Sequence, residues 1–259
     1  MRATSSPLLS PIGLGLVAGL ISGTFGVGGG IIVVPGLVFF LHYTQRLSHG
    51  TSLLAILPIA VSGVIGYTLH GSIALGYAAF LGLGSIAGAL IGTKLLSVIS
   101  NRWLARGFSA LLIITAVRLF VDVPAGSTEL VLTPVTAVEL VAVGVVVGTL
   151  AGLLGIGGGI VLVPILVIFF GAAAPMAKGT ALLVAIIAGA TGSWRNYRSG
   201  NVDIAIALKI GTAGVPTAFI GAQLAIIMSA QVSMILFAGL LVLSAVQLLR
   251  SSKQGECNI

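Results

Sequence analysis

Two five-residue stretches carry most of the chemistry that this chain can do. They are Gly26-Val27-Gly28-Gly29-Gly30 and Gly155-Ile156-Gly157-Gly158-Gly159, each set inside a long apolar run. Four glycines in five positions disfavour helix, since each costs about 1 kcal/mol relative to alanine. An unpaired peptide group in hydrocarbon costs several kcal/mol, so such a break persists only inside the protein or against a water-filled cavity. The runs that follow, 31–40 and 160–170, are expected to open short helices whose first N–H groups and positive dipole ends point back at the glycines. With no Cβ at Gly26, Gly28, Gly29, Gly30, Gly155, Gly157, Gly158 or Gly159, a ligand can approach the backbone, and the favoured ligand is an anion. The competing reading is close helix packing, which is preferred for the earlier series Gly15, Gly19, Gly23 and Gly144, Gly148, Gly152.

His49 and Lys178 form the second pair of candidates, each directly before Gly-Thr at an expected helix start. A cationic or protonatable group there suits an anionic oxygen, and His49 could also carry a coupled proton. The plainer readings are a snorkelling Lys178 and a hydrogen-bonded loop histidine. Thr51 and Thr180 could donate hydroxyls to the anion or cap their helices. Lys209 either snorkels or lines the cavity. Arg118 reads as an interfacial anchor, as do Arg195 and Arg198 beside Trp194 and Tyr197. Glu139 is expected near the outer interface.

The elements that must position these residues come in two copies. Residues 15–35 and 144–164 are identical at 11 of 21 positions at an offset of 129, and the register then runs on without a gap. His49-Gly50-Thr51 lies over Lys178-Gly179-Thr180, and Gly82 over Gly211. Apolar segments fall at about 12–42, 50–69, 73–93 and 104–121, then at about 133–171, 179–194, 204–224 and 232–249. The opening segment of each half is too long for one crossing and reads as a helix that enters, breaks and returns. The count is six crossings plus two hairpins, read as eight or ten. Lys94, Arg102 and Arg106 fill a loop whose second-half counterpart is uncharged, whereas Arg195 and Arg198 lie over Gly66 and Leu69. Under the positive-inside rule the halves face opposite ways. Asp122 and Glu129 fall outside; Arg46, Arg250 and Lys253 fall inside, with both termini cytoplasmic. The expected organisation is a first repeat over 1–122, an extracytoplasmic connection over 123–132, a second, inverted repeat over 133–250 and a cytoplasmic tail over 251–259. The fold class is therefore an all-α polytopic membrane protein. It is built as an inverted-topology internal repeat, a construction common among secondary transporters, and a broken, glycine-interrupted helix hairpin opens each half.

Composition agrees. Of 259 residues 58% are hydrophobic and only 7% charged, against the roughly 25% charge of a soluble domain; mean hydropathy is +1.22. The net charge of +7 is scattered singly, unlike the basic stripe of a nucleic-acid binder. Cys257 is alone, so no internal disulfide is expected, and the N-terminus, lacking a cleavage signature, reads as mature sequence. An intramembrane enzyme lacks support. The five acids include no close pair, and His42, His49 and His70 lack the spacing of a helical metal site. No nucleotide-binding motif supports a pump. No cofactor or metal is expected. An anion channel of the same architecture stays open as an alternative, as do a coupling proton or cation and a homodimer.

The doubled pattern G-x-x-x-G-x-x-x-G-x-x-G-[VI]-G-G-G-[IV]-[IV]-[VL]-V-P, with Gly-Thr heading the next helix, resembles the sulfite exporter TauE/SafE family of membrane permeases. The likeness covers both halves. It implies transport of a small sulfur-containing anion, such as sulfite or an organosulfonate, across a bilayer. The short loops suit a prokaryotic inner membrane. The resemblance, not composition or spacing, supplies the sulfur.

Overall fold

The computed structural model describes residues 11–95, 109–110, 112–117, 126–127, 130–155 and 157–254. Their backbone is almost wholly helical, the form in which an apolar chain satisfies its own peptide groups. The first half contains α1 (Pro11–Phe25), α2 (Gly30–Leu41), α3 (Gln45–Thr68) and α4 (Leu75–Leu95), and residues 112–117 are helical. The second half contains α5 (Pro134–Leu154), α6 (Gly159–Ile168), α7 (Ala174–Arg198), α8 (Ile204–Ile227) and α9 (Ala230–Gln254). Among the described residues five helices, α3, α4, α5, α7 and α8, are long and apolar enough to cross a membrane. The chain is a multi-pass membrane protein.

The opening segment of each half is broken where the glycines predicted it. With 12 and 10 residues, α2 and α6 reach about 18 and 15 Å, well short of the roughly 30 Å hydrocarbon core. Gly29 packs on Ala18 and Gly36 on Leu14, so α2 folds back along α1. Pro35, Pro164, Pro58 and Pro216 all lie inside helices. Two helix starts differ from the sequence reading. Thr44 caps α3 by accepting a hydrogen bond from the Leu47 N–H at 3.4 Å, and Pro175 sits in the first turn of α7. These local signals start the helices at Gln45 and Ala174, several residues before the apolar runs begin. His49 and Lys178 therefore lie one turn inside their helices.

Packing exchanges elements between the halves. Along α1, Gly15, Gly19 and Gly23 face Ile210, Gly214 and Ala218 of α8, so these helices run parallel with backbones almost touching. Gly144, Gly148 and Gly152 of α5 face Leu81, Ser85 and Ala89 of α4 in the same manner. The pre-break glycines thus serve close packing. Where α3 crosses α7, Gly63 meets Leu182 and Gly192 meets Leu53, so that pair is antiparallel. Each contact has its counterpart 129 residues away. The largest apolar cluster joins α6, α7 and α9 to Leu112 and Ala116, and a smaller one lies among α1, α2, α3 and α8.

Candidate functional site

The glycine turns use the one freedom that only glycine has cheaply. Gly26, Gly28 and Gly29 have φ of 73°, 83° and 78°, and Gly155, Gly157 and Gly158 have 66°, 82° and 76°. Left-handed backbone at each of these positions would cost any other side chain roughly 1–2 kcal/mol. Gly29 and Gly158 occupy the N-cap positions of α2 and α6. Ile32 and Val33 bond back to the Gly29 carbonyl, as Val161 and Leu162 do to Gly158. The N–H groups of Gly30, Ile31, Gly159 and Ile160 precede those bonds and point outward, as at any helix start. Gly26, Gly28, Gly29, Gly30, Gly155, Gly157, Gly158 and Gly159 are all buried. The two turns touch: a Cβ at Gly159 would lie 2.3 Å from the Gly26 carbonyl oxygen.

Each turn is also gripped by the other half. A Cβ at Gly26 would stand 2.7 Å from Lys178 Cα, and one at Gly155 would stand 2.8 Å from His49 Cα. The Ser52 hydroxyl donates to the Gly155 carbonyl at 3.1 Å. Thr51 and Thr180 cap no helix of their own, because α3 and α7 begin earlier. Their hydroxyls instead accept from the Asp203 and Ala74 N–H groups, both at 3.0 Å, and tie α3 to the start of α8 and α7 to the start of α4.

The structure does not bring His49 and Lys178 together. Gly179 packs on Tyr67, near the far end of α3. The 18 residues from His49 to Tyr67 amount to about 27 Å of helix. The antiparallel crossing therefore sends the two basic positions toward opposite ends, with the glycine turns between them.

The two ends are chemically unlike. At the His49 end the Tyr43 hydroxyl donates to Asp203 Oδ2 at 2.6 Å. That hydrogen bond, helped by the Ile206 N–H, holds the Asp203 carboxyl below its usual range. The same bond, with burial, pushes the Tyr43 hydroxyl up to about 12. At the other end Lys178 is 0% exposed, which overturns the snorkelling reading. Its ammonium donates to the Ser233 hydroxyl and lies 5.7 Å from the centre of the Phe25 ring, which stacks on Phe237 at 5.9 Å. Among the described residues no acid pairs with it: Asp203 is engaged with Tyr43, and Glu139 is exposed. Sequence reasoning missed Ser233, Phe25 and Tyr43; the only signal was a serine in an apolar crossing that also carries Ser244. Ser22, Ser48 and Ser193 have buried hydroxyls with no partner among the described residues. Lys209 is exposed on α8 and does not line the interior. Arg198 lies 4.4 Å from the Trp194 ring centre, and both are exposed, as an interfacial anchor requires. Arg102, Arg106, Arg118, Asp122 and Glu129 lie outside the described residues.

Comparison with known proteins decides the family. The model of the family described as "Sulfite exporter TauE/SafE" matches residues 2–119 and 140–258. The chain belongs to this family. A "Probable membrane transporter protein", YunE, of Bacillus subtilis (strain 168) is 29% identical to this TauE/SafE member over 234 residues, covering 82% of the chain and 84% of the relative. A protein of the same description from Methanocaldococcus jannaschii is 29% identical over 228 residues, covering 83% and 80%. One from Xylella fastidiosa (strain 9a5c) is 26% identical over 227 residues, covering 86% of each. No solved structure gives a significant match. The relatives are named as transporters, and the chain is a member of a membrane transporter family, not an enzyme.

Proposed function

We propose that the protein is a secondary carrier of a small sulfur-containing anion, sulfite or an organosulfonate, working by alternating access across a prokaryotic inner membrane. The anion is held at the glycine turns by the free N–H groups of α2 and α6. Gly26, Gly28, Gly29, Gly30, Gly155, Gly157, Gly158 and Gly159 line the cradle. His49 and Lys178 bring basic groups to its two ends, and Thr51 and Thr180 brace them. The observation that carries this reading is the pair of buried, left-handed turns that open short helices, touch one another and are each gripped by a basic position of the opposite half. Two dipole ends and a buried ammonium favour negative charge, and the family description supports sulfite.

The repeat itself reads as inverted. Its units are 1–122 and 133–250, joined by an outer connection over 123–132, with both termini and the tail over 251–259 cytoplasmic. Support comes from α3 and α7, which hold the same repeat position yet cross antiparallel with reciprocal contacts. A two-fold axis exchanging them is perpendicular to both helices, hence in the membrane plane. The test is counterflow in vesicles: preloading with sulfite should accelerate uptake of labelled sulfite, which a pore would not do. Gly29→Val and Gly158→Val should each abolish that flux, since a Cβ would lie 2.9 Å from the Ala18 carbonyl oxygen or 2.7 Å from Val147 Cγ1, at φ of 78° and 76°. Normal flux in both variants would remove the turns from the mechanism.

A further inference from the structure

We infer that Ser233 and Phe25 join Lys178 in a charge-selecting station that takes one singly charged anion, at the end of the protein opposite His49. The inference rests on the carrier reading above and adds to it where the charge is matched and how much charge is taken. Lys178 is 0% exposed. An ammonium buried without a counter-charge is strongly disfavoured, and no described acid supplies one. Its neighbours are the Ser233 hydroxyl, a neutral group, and the face of Phe25. Phe25 and Phe237 close the station with an apolar wall, and Ser233 and Phe237 stand four residues apart on one face of α9. The acid that the opposite end does possess, Asp203, is committed to Tyr43.

One fixed positive charge in an apolar enclosure balances one negative charge. A dianion would leave a second charge buried and uncompensated. The repeat cannot make two such stations, because Lys178 is matched by His49 and Ser233 by Leu104. Ser233 positions the ammonium: its hydroxyl takes one N–H and leaves two directed at the anion.

The experiment uses the full-length protein in vesicles at about pH 6, where labelled sulfite is chiefly the hydrogensulfite monoanion, with its uptake competed by methanesulfonate, a monoanion, or by sulfate, a dianion. Methanesulfonate should compete at least tenfold better than sulfate. Lys178→Arg should keep that preference, Lys178→Met should abolish it, and Ser233→Ala should weaken methanesulfonate several-fold while preserving it. Equal competition by sulfate, or a preference that survives in Lys178→Met, would overturn the inference and leave the carrier reading intact. Absence of sulfite counterflow in the unaltered protein would sink both. Should Lys178→Met fail to insert, Ser233→Ala decides the matter, and unchanged methanesulfonate competition in that variant overturns the station.

Discussion

Adding the same methyl group at three glycines should change stability in a ranked way, because what the methyl meets differs. At Gly23 a Cβ would lie 2.0 Å from the Ala218 carbonyl oxygen, 2.8 Å from Ala218 C and 2.9 Å from Ala222 N. All three are backbone atoms of α8 and cannot swing aside, so α1 and α8 must part by more than an ångström. A gap of that size forfeits about half of the dispersion contact along the seam, which Gly15 and Gly19 share. Overpacking of this kind costs about 1–3 kcal/mol, and the intrinsic helix preference of alanine returns about 1 kcal/mol. The net loss for Gly23→Ala is up to about 2 kcal/mol, a fall in Tm of roughly 4–8 °C for a chain of this size. At Gly239 of α9 nothing lies within 4 Å of the added carbon, so only the helix preference acts and Tm should rise by roughly 2–4 °C. Gly152, whose nearest atoms are Ala89 O at 2.8 Å and Thr93 N at 3.2 Å, should fall between. Thermal unfolding of the detergent-solubilised protein, followed by loss of the monodisperse chromatographic peak, ranks the three. A Gly23→Ala protein as stable as Gly239→Ala would refute the backbone-contact account of the α1–α8 seam.

The Tyr43–Asp203 bond sets a pH window. Asp203 has its carboxyl depressed, so its stabilisation is present above about pH 4 and is lost as pH falls through the folded value. Tyr43, raised to about 12 from its ordinary 10.0, stabilises fully below pH 10 and loses this as pH rises toward 12. Tyr43→Phe should therefore lower stability by about 1 kcal/mol between those limits and converge with the unaltered protein outside them; a pH-independent difference would contradict the bond. Thr51→Val and Thr180→Val each leave one backbone N–H, of Asp203 or Ala74, without its 3.0 Å acceptor. Each should cost about 1–3 kcal/mol in the same unfolding assay, and if neither shifts Tm the ties between the halves are not structural.

The repeat and its breaks were legible because both depend on glycine spacing, and glycine spacing is visible in one dimension. Successive positive-φ residues leave few alternatives to Gly28-Gly29 and Gly157-Gly158. The helix starts were less legible. Gln45, Arg46 and Ser48 carry no apolar period, and a single threonine cap outweighed it. The separation of His49 from Lys178 was implicit in the loop charges, since halves expected to face opposite ways send equal repeat positions toward opposite ends. Burial of Lys178 ran against the snorkelling alternative, which holds that a lysine one turn into a crossing ordinarily reaches the interface. Here α9 covers it, and Ser233 is the only polar trace of that contact in the sequence.

The exchange of elements bears on how such a protein could move. The seams α1–α8 and α5–α4 are closed by glycine backbone against backbone, with carbonyl oxygens 2.0–2.8 Å from where a Cβ would be. Sliding along either seam drives a carbonyl into a neighbouring helix, so each pair moves as one piece. The parallel helix α3 joins α8, and through it α1, by Gly66 against Ala222 and Gly211 against Pro58, and α7 joins α4 through Gly82 against Ile187. Between these two groups the middle of the α3–α7 crossing is closed by the ends of Leu182 and Leu53, which change rotamer at small cost. Its two ends are held by backbone, with a Cβ at Gly50 2.0 Å from the Asn201 carbonyl oxygen and one at Gly179 2.3 Å from that of Ser72. A carrier that alternates would divide there and not between the sequence halves, because each rigid group contains helices of both. The glycine turns lie on that dividing surface, Gly26 from one group against Gly159 from the other, so an opening of the crossing also parts the two helix starts proposed to hold the anion.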